Sequence, residues 1–104
     1  VLVSLAHAGA LLVSPDEEIR VTAPRVEVRS AVGAGDSMVA AATFALVRRQ
    51  PLAEVARAAV AAGTAAVLTS GTELLRAEDY RSMCERVTTK AAPSASSPEA
   101  RAAT

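Results

Sequence analysis

Two glycines and an aspartate, Gly33-Ala34-Gly35-Asp36, stand just before a stretch of helical character. Their types and spacing could do chemistry. Glycine has no Cβ, so backbone N–H groups around 33 and 35 can approach an anion closely. A helix start adds unpaired amides and the positive end of the macrodipole at the same point. Asp36 cannot itself receive an anion, but it can take a proton from an attacking hydroxyl. Together these groups could hold a transferring phosphoryl group on amides while a carboxylate activates the nucleophile. Read alone, the four residues equally fit an ordinary glycine-rich helix cap with an acid in its first turn.

The other chemistry-bearing residues read more simply. His7, the one histidine, falls in a strand-turn and is expected on the surface rather than acting as a general base. Cys84, the one cysteine, is expected to pack as a small hydrophobe on a helix face. A single cysteine excludes an intramolecular disulfide framework and a multi-cysteine zinc site. Met38 and Phe44 read as core residues, and Asp16-Glu17-Glu18 as a solvated turn. Arg48 and Arg49 near a helix end fit complementation of the dipole.

These residues need elements to hold them. Val1–Leu5 and Ala10–Val13 are short apolar runs separated by a turn at Gly9, which predicts two strands. Ile19–Thr22 and Val26–Val28 alternate around Ala23-Pro24 and predict an edge or a bent strand. After Gly35 the period changes. Asp36–Arg48 has no Gly or Pro and is apolar nearly all round, so it predicts a buried helix. Pro51 suits the first turn of a second helix, where Leu52, Val55, Ala56, Ala59, Val60, Gly63, Ala66 and Val67 keep a 3-4 spacing. A third helix is expected over Ala77–Val87, with Tyr80, Met83, Cys84 and Val87 on one face. From about Thr88 the composition turns to Ala, Ser, Pro and Thr without periodicity, so residues 89–104 are expected to be a disordered tail after a unit spanning 1–88. The order of elements implies an α/β fold.

Composition sets outer bounds. The chain has 104 residues, enough for one small domain. Half of it (51%) is hydrophobic, but mostly as Ala and Val, with one Phe, one Tyr and no Trp, so the expected core is thin. Eleven basic and eleven acidic side chains cancel, so neither nucleic acid nor an anionic membrane is an expected partner. No apolar run approaches the ~20 residues of a membrane-spanning helix, and nothing resembles a signal peptide, so a cytoplasmic setting is expected. The chain opens on Val1 in a core-type strand, from which a piece of a longer polypeptide is expected.

Val32-Gly33-Ala34-Gly35-Asp36-Ser37-Met38-Val39-Ala40 resembles the C-terminal signature of the ribokinase/PfkB carbohydrate kinases. Val3-Ser4-Leu5-Ala6-His7-Ala8-Gly9-Ala10 is similar to that family's strand-turn at the nucleotide site. Ala61–Thr72 resembles the second helix and following loop of its PfkB-type 6-phosphofructokinase branch. The three segments cover roughly residues 1–88 in the family's order. The resemblance implies the C-terminal portion of a ribokinase-like three-layer α/β/α sandwich. It also implies phosphoryl transfer from Mg-ATP to a sugar-phosphate hydroxyl, with fructose 6-phosphate as acceptor and fructose 1,6-bisphosphate as product. Fructose 1-phosphate and tagatose 6-phosphate are the alternative acceptors, and the complete enzyme is expected to be a homodimer.

Residue by residue, the resemblance places Asp36 as the catalytic base that also contacts the sugar substrate, with Gly33, Ala34 and Gly35 as the anion hole. Ser4 and Gly9 match positions that contact ATP, and Val60 and Thr64 match positions that wall the adenine pocket. Ser30, Val32, Ala66, Thr69, Gly71 and Glu73 fall where relatives place oxygens, mainly backbone carbonyls, around a monovalent cation such as K⁺. Three positions depart from the pattern. Ala6 replaces the family's usual glycine, which puts nucleotide binding in question if that position needs positive φ. Ala31 stands where threonine is common, and Thr69 where asparagine is frequent. No segment resembles the family's N-terminal region, which supplies most of the sugar site, the lid and the acidic residues near Mg²⁺. The 104 residues alone are therefore expected to be inactive. Two other readings stand beside this one: a truncated, catalytically silent remnant keeping only nucleotide or partner binding, and a helix-rich interaction module.

Overall fold

In the computed structural model, which describes residues 1–69 and 74–93, a four-stranded antiparallel sheet carries one helix on a face, and two further helices pack against that helix. The strands are β1 (Leu2–Ser4), β2 (Ala10–Val13), β3 (Glu17–Thr22) and β4 (Thr88–Pro93), ordered β1-β2-β3-β4. Register follows the apolar alternation: Leu12 pairs with Ile19 and Ala10 with Val21, and all four are buried on the side facing the helices. Arg20 and Thr22, one residue out of phase, are exposed. Between β1 and β2, residues Ala6–Ala8 form one 3₁₀ turn.

The helices are α1 (Ala34–Val47), α2 (Leu52–Ala66) and α3 (Ala77–Arg86). All three lie within one or two residues of the sequence expectation. Helix α2 is the centre of the unit. It packs on β2, β3 and β4, on α1 and on α3, and every residue from Ala59 to Ala66 is buried. A run of alanines makes this possible, because small side chains let neighbours approach on all sides. Met83 of α3 and Val87, which caps its end, join the same core, with Tyr80 and Cys84 half-buried beside them. Arg57 of α2 ties the two helices by donating to the Cys84 carbonyl at 2.7 Å. Burial and a hydrogen bond to Cys84 push the Tyr80 phenol up to about 12.

Of the turn expected at Asp16-Glu17-Glu18, Glu17 and Glu18 instead open β3, half-buried; three larger expectations are also corrected. Val26–Val28 lies outside the strands, in the irregular connection between β3 and α1. Helix α1 is not buried all round: only Ala42 and Ala45 are buried, while Val39, Leu46 and Val47 are exposed and Phe44, read as core, is 65% exposed. Its contact with α2 needs only one face, and no element among the described residues covers the others. Arg48 instead lies over the Phe44 ring, 5.4 Å from its centroid. The third correction concerns the expected tail. Residues 88–93 form β4, paired along β3 from Thr22↔Thr88 to Glu17↔Pro93. Composition hid this strand because the edge of β3 supplies its backbone partners, with little demand on its side chains. Its proline stands at the end of an edge strand, where a missing N–H is tolerated. The remainder of that expected tail, 94–104, lies outside the described residues.

Helix α1 ends in a Schellman-type turn. Arg49 N–H donates to the Leu46 carbonyl at 2.9 Å and Gln50 N–H to that of Ala45 at 3.0 Å. Arg49 thereby takes φ +56°, a position usually given to glycine. The two arginines thus stand beyond the last helical turn, as cap and reversal residues.

Candidate functional site

The glycine–aspartate loop sits where α1 begins. Gly33 is the N-cap, with φ +81° and ψ 0°, and no side chain caps this end among the described residues. The first helical bond runs from the Ser37 N–H to the Gly33 carbonyl at 2.9 Å. By helix geometry the amides of Gly35 and Asp36 then have no carbonyl four residues back within the helix, and they converge at its positive end. A Cβ added at Gly33 or at Gly35 would meet no atom within 4 Å. The mouth of the helix is therefore open on both glycine faces. Asp36 lies in this first turn and is exposed. Carboxylate, unpaired amides and open approach coincide, which is the arrangement needed to accept a hydroxyl proton beside a bound anion.

The approach to this loop is fastened to the far end of α2. Arg29 and Ser30 both donate their backbone N–H to the Val67 carbonyl, at 2.7 and 3.3 Å. Ser30 Oγ accepts from the Val32 N–H at 3.2 Å, which tightens the turn toward Gly33. Of the six positions expected around a monovalent cation, Ser30 and Val32 lie on the loop and Ala66 and Thr69 at the C-terminal end of α2, and the bond from Ser30 to Val67 joins these two segments. Thr69 Oγ1 donates to the Ala66 carbonyl at 2.9 Å. A helix C-terminus, rich in carbonyl oxygens and carrying the negative end of the dipole, suits a cation. Gly71 and Glu73 lie outside the described residues. Among the described residues no three His, Cys, Asp or Glu side chains come together as metal ligands.

The positions expected at the nucleotide are arranged differently. Ser4 is exposed at the end of β1, and Gly9 is buried at the end of the 3₁₀ turn. The Leu5 N–H donates to the Gly9 carbonyl at 2.8 Å and the Gly9 N–H to that of Ala6 at 3.1 Å. Gly9 has φ +102°, and a Cβ on it would lie 1.9 Å from the Val21 carbonyl oxygen, so the fold itself requires glycine there. Ala6 takes φ +53°, so the position where the family usually has glycine does need the left-handed region. His7 is exposed, as expected. Val60 and Thr64 are 3% and 7% exposed, on buried faces of α2, with Thr64 Oγ1 donating to the Val60 carbonyl at 2.7 Å. Neither presents an open wall in this structure.

Two residues of the site's frame, Gly63 and Val67, were read from sequence only as positions in the spacing of the second helix, with no role at the site. Gly63 of α2 faces Met38 of α1. The available signal was a glycine inside an otherwise alanine-rich helix, one turn before the loop's anchor at Val67. A groove of about 610 Å³ runs between the helices from Ser37 at the start of α1, floored by alanines and bordered by Phe44, Arg48, Glu54 and Tyr80. No helix among the described residues is long and apolar enough to cross a membrane.

Comparison with known proteins gives a consistent result. The model of the pfkB family of carbohydrate kinases matches residues 1–79. The ATP-dependent 6-phosphofructokinase isozyme 2 of Escherichia coli K12 is 48% identical over 79 residues, covering 76% of this chain and 26% of that protein. The 1-phosphofructokinase of Rhodobacter capsulatus is 37% identical over 93 residues, covering 89% of this chain and 29% of its own length. Among solved structures, phosphofructokinase-2 from E. coli in complex with potassium superposes with a TM-score of 0.80 at 44% identity, over 83% of this chain and 28% of that one. The chain spans about a quarter of the length of the curated relatives it matches.

Proposed function

Because the chain belongs to the PfkB family of carbohydrate kinases and has the fold of its C-terminal portion, we propose that it carries the catalytic base and phosphoryl cradle of an ATP-dependent sugar-phosphate kinase. The observation that carries this reading is the open N-terminus of α1, where Asp36 stands in the first turn behind two glycines with nothing in front of them. Asp36 takes the proton of the acceptor hydroxyl. The hydroxyl oxygen bonds to the γ-phosphorus of ATP, the bond from that phosphorus to the β-phosphate oxygen breaks, and ADP departs. The amides of Gly35 and Asp36 hold the charge on the phosphoryl group as it moves. Gly33, in the left-handed region, and Ala34 shape this anion hole.

The preferred acceptor is fructose 6-phosphate, giving fructose 1,6-bisphosphate; fructose 1-phosphate and tagatose 6-phosphate are the alternatives. The names of the two kinds of phosphofructokinase relative support the sugar-phosphate class. Ser4, Gly9, Val60 and Thr64 would contact the nucleotide, and for Val60 and Thr64 this requires their buried faces to be uncovered. A monovalent cation such as K⁺ would be held by carbonyls of Ser30, Val32, Ala66 and Thr69, with Gly71 and Glu73, and would fix the loop. On the family resemblance, the acidic residues near the Mg²⁺ of Mg-ATP belong to the family's N-terminal region. A homodimer and a cytoplasmic setting complete the proposal for the whole enzyme, on family resemblance.

The test uses the native polypeptide that carries this sequence and follows phosphorylation of the three sugar phosphates by Mg-ATP. Asp36→Asn is expected to lower turnover by about 10²–10⁴-fold while ATP still binds. Full activity in that variant removes Asp36 from the base role. A wild-type protein that phosphorylates none of the sugars but binds ATP supports the second reading, a silent remnant. The exposed apolar face of α1 and the closed positions at Val60 and Thr64 are the observations that favour that reading.

A further inference from the structure

Glycine in the middle of a helix is unfavourable relative to alanine, so one that persists among alanines points to a neighbour that needs the space. Gly63 has such a neighbour. A Cβ placed on it would lie 2.7 Å from Met38 Cγ, 3.2 Å from Met38 Sδ and 3.5 Å from the Ala34 carbonyl oxygen. The notch left by the absent Cβ is thus filled from α1, and the two residues that enter or border it bracket Asp36 in sequence. One turn further along α2, the Val67 carbonyl accepts the Arg29 and Ser30 amides at 2.7 and 3.3 Å. The last two turns of α2 therefore grip both ends of the glycine–aspartate loop: Val67 holds the approach and Gly63 seats the first turn of the helix that follows.

We propose that Gly63 is a positioning residue for phosphoryl transfer. It sets the distance between α2 and the N-terminus of α1, and through it the direction of the Asp36 carboxylate and of the Gly35 and Asp36 amides. The inference rests on the kinase reading above for its effect on rate, but not for its effect on the loop. An added methyl group must displace Met38, and Met38 continues the same turn that presents the carboxylate. The role proposed for Gly63 needs no contact with substrate or phosphate. It acts only through α1.

The test compares Gly63→Ala, Met38→Ala and the double variant in the native polypeptide, by kinetics and by amide hydrogen exchange at Ser37, Val39 and Ala40, amides of the first turns of α1 that have a helical acceptor. Gly63→Ala is expected to lower kcat roughly 10–100-fold, with a smaller change in KM, and to speed exchange at the three amides. Met38→Ala removes the atoms that meet the new methyl, so in the double variant kcat and exchange should move back toward wild type, a non-additive cycle. Unchanged kcat and exchange in a folded Gly63→Ala protein, or strictly additive effects in the double variant, would overturn the inference. If Gly63→Ala does not fold, Met38→Ala alone decides, because it empties the same notch from the other side. Faster exchange at the three amides then supports the inference, and unchanged exchange overturns it. If the wild-type protein proves to have no kinase activity, the exchange comparison still judges Gly63, so the two readings fail separately.

Discussion

Two glycine-bearing turns in this chain look alike in sequence and differ in what holds them. In the turn after β1, Gly9 is locked by the fold: its φ is +102° and a Cβ would drive into the Val21 carbonyl. In the loop before α1, Gly33 has φ +81° but open space where its Cβ would be, and Gly35 has neither a positive φ nor a neighbour within 4 Å. Packing explains the first glycine completely and the last not at all. A glycine that the fold does not require, beside a carboxylate at a helix start, points to something arriving from outside. On the proposed function, that contrast separates the glycine the fold needs from those a bound phosphoryl group would need.

The largest effect is expected where the fold is the cause. Gly9→Ala should cost about 3 kcal/mol or more, read as a lower urea midpoint of the native polypeptide, because a backbone oxygen must move and the left-handed φ must be kept. A midpoint equal to wild type would erase the distinction between the two turns. At Gly35 the expectation divides. Gly35→Ala should leave the melting temperature unchanged or raised, since alanine favours the helix by about 0.5–1 kcal/mol, while kcat/KM falls by roughly tenfold or more, equivalent to about 1.4 kcal/mol of lost transition-state binding. Loss of both would make Gly35 structural like Gly9; loss of neither would empty the proposed cradle. The smallest effect is a gain. Ala6, at φ +53°, occupies a conformation that suits glycine, so Ala6→Gly should stabilise by about 0.5–1 kcal/mol after the added entropy of the unfolded chain is counted. Thermal melting checks it, and a lower melting temperature would show that the Ala6 methyl makes a contact outweighing the strain.

Particular elements show how far the sequence could be read. Helix α2 was legible because its 3-4 spacing is real amphipathicity at Leu52, Val55, Ala56 and Ala59, continued into full burial. Helix α1 was legible as a helix but misread in its surroundings. Apolar residues such as Val39, Phe44 and Val47 say that burial would be favourable, not that an element lies there to provide it. Strand β4 left no readable trace, since Thr88–Pro93 is held by the edge of β3 more than by its own side chains. In the candidate site, the meeting of glycines, free helix-start amides and a carboxylate at Gly33–Asp36 was readable because local geometry alone makes it. The support from Gly63 and Val67 was not, because those residues lie about thirty positions away and act by proximity.

By itself, then, the sequence determined the three helices to within a residue or two, the apolar runs that become β1, β2 and β3, and the family signature that holds the proposed base, all of which follow from neighbours along the chain and from short-range periodicity. Only the tertiary structure decided which glycines the fold requires, which apolar residues find a partner, and how the loop is gripped at both ends. Those depend on what a residue meets across space, and a Cβ that is harmless in one environment lies 1.9 Å from a carbonyl oxygen in another.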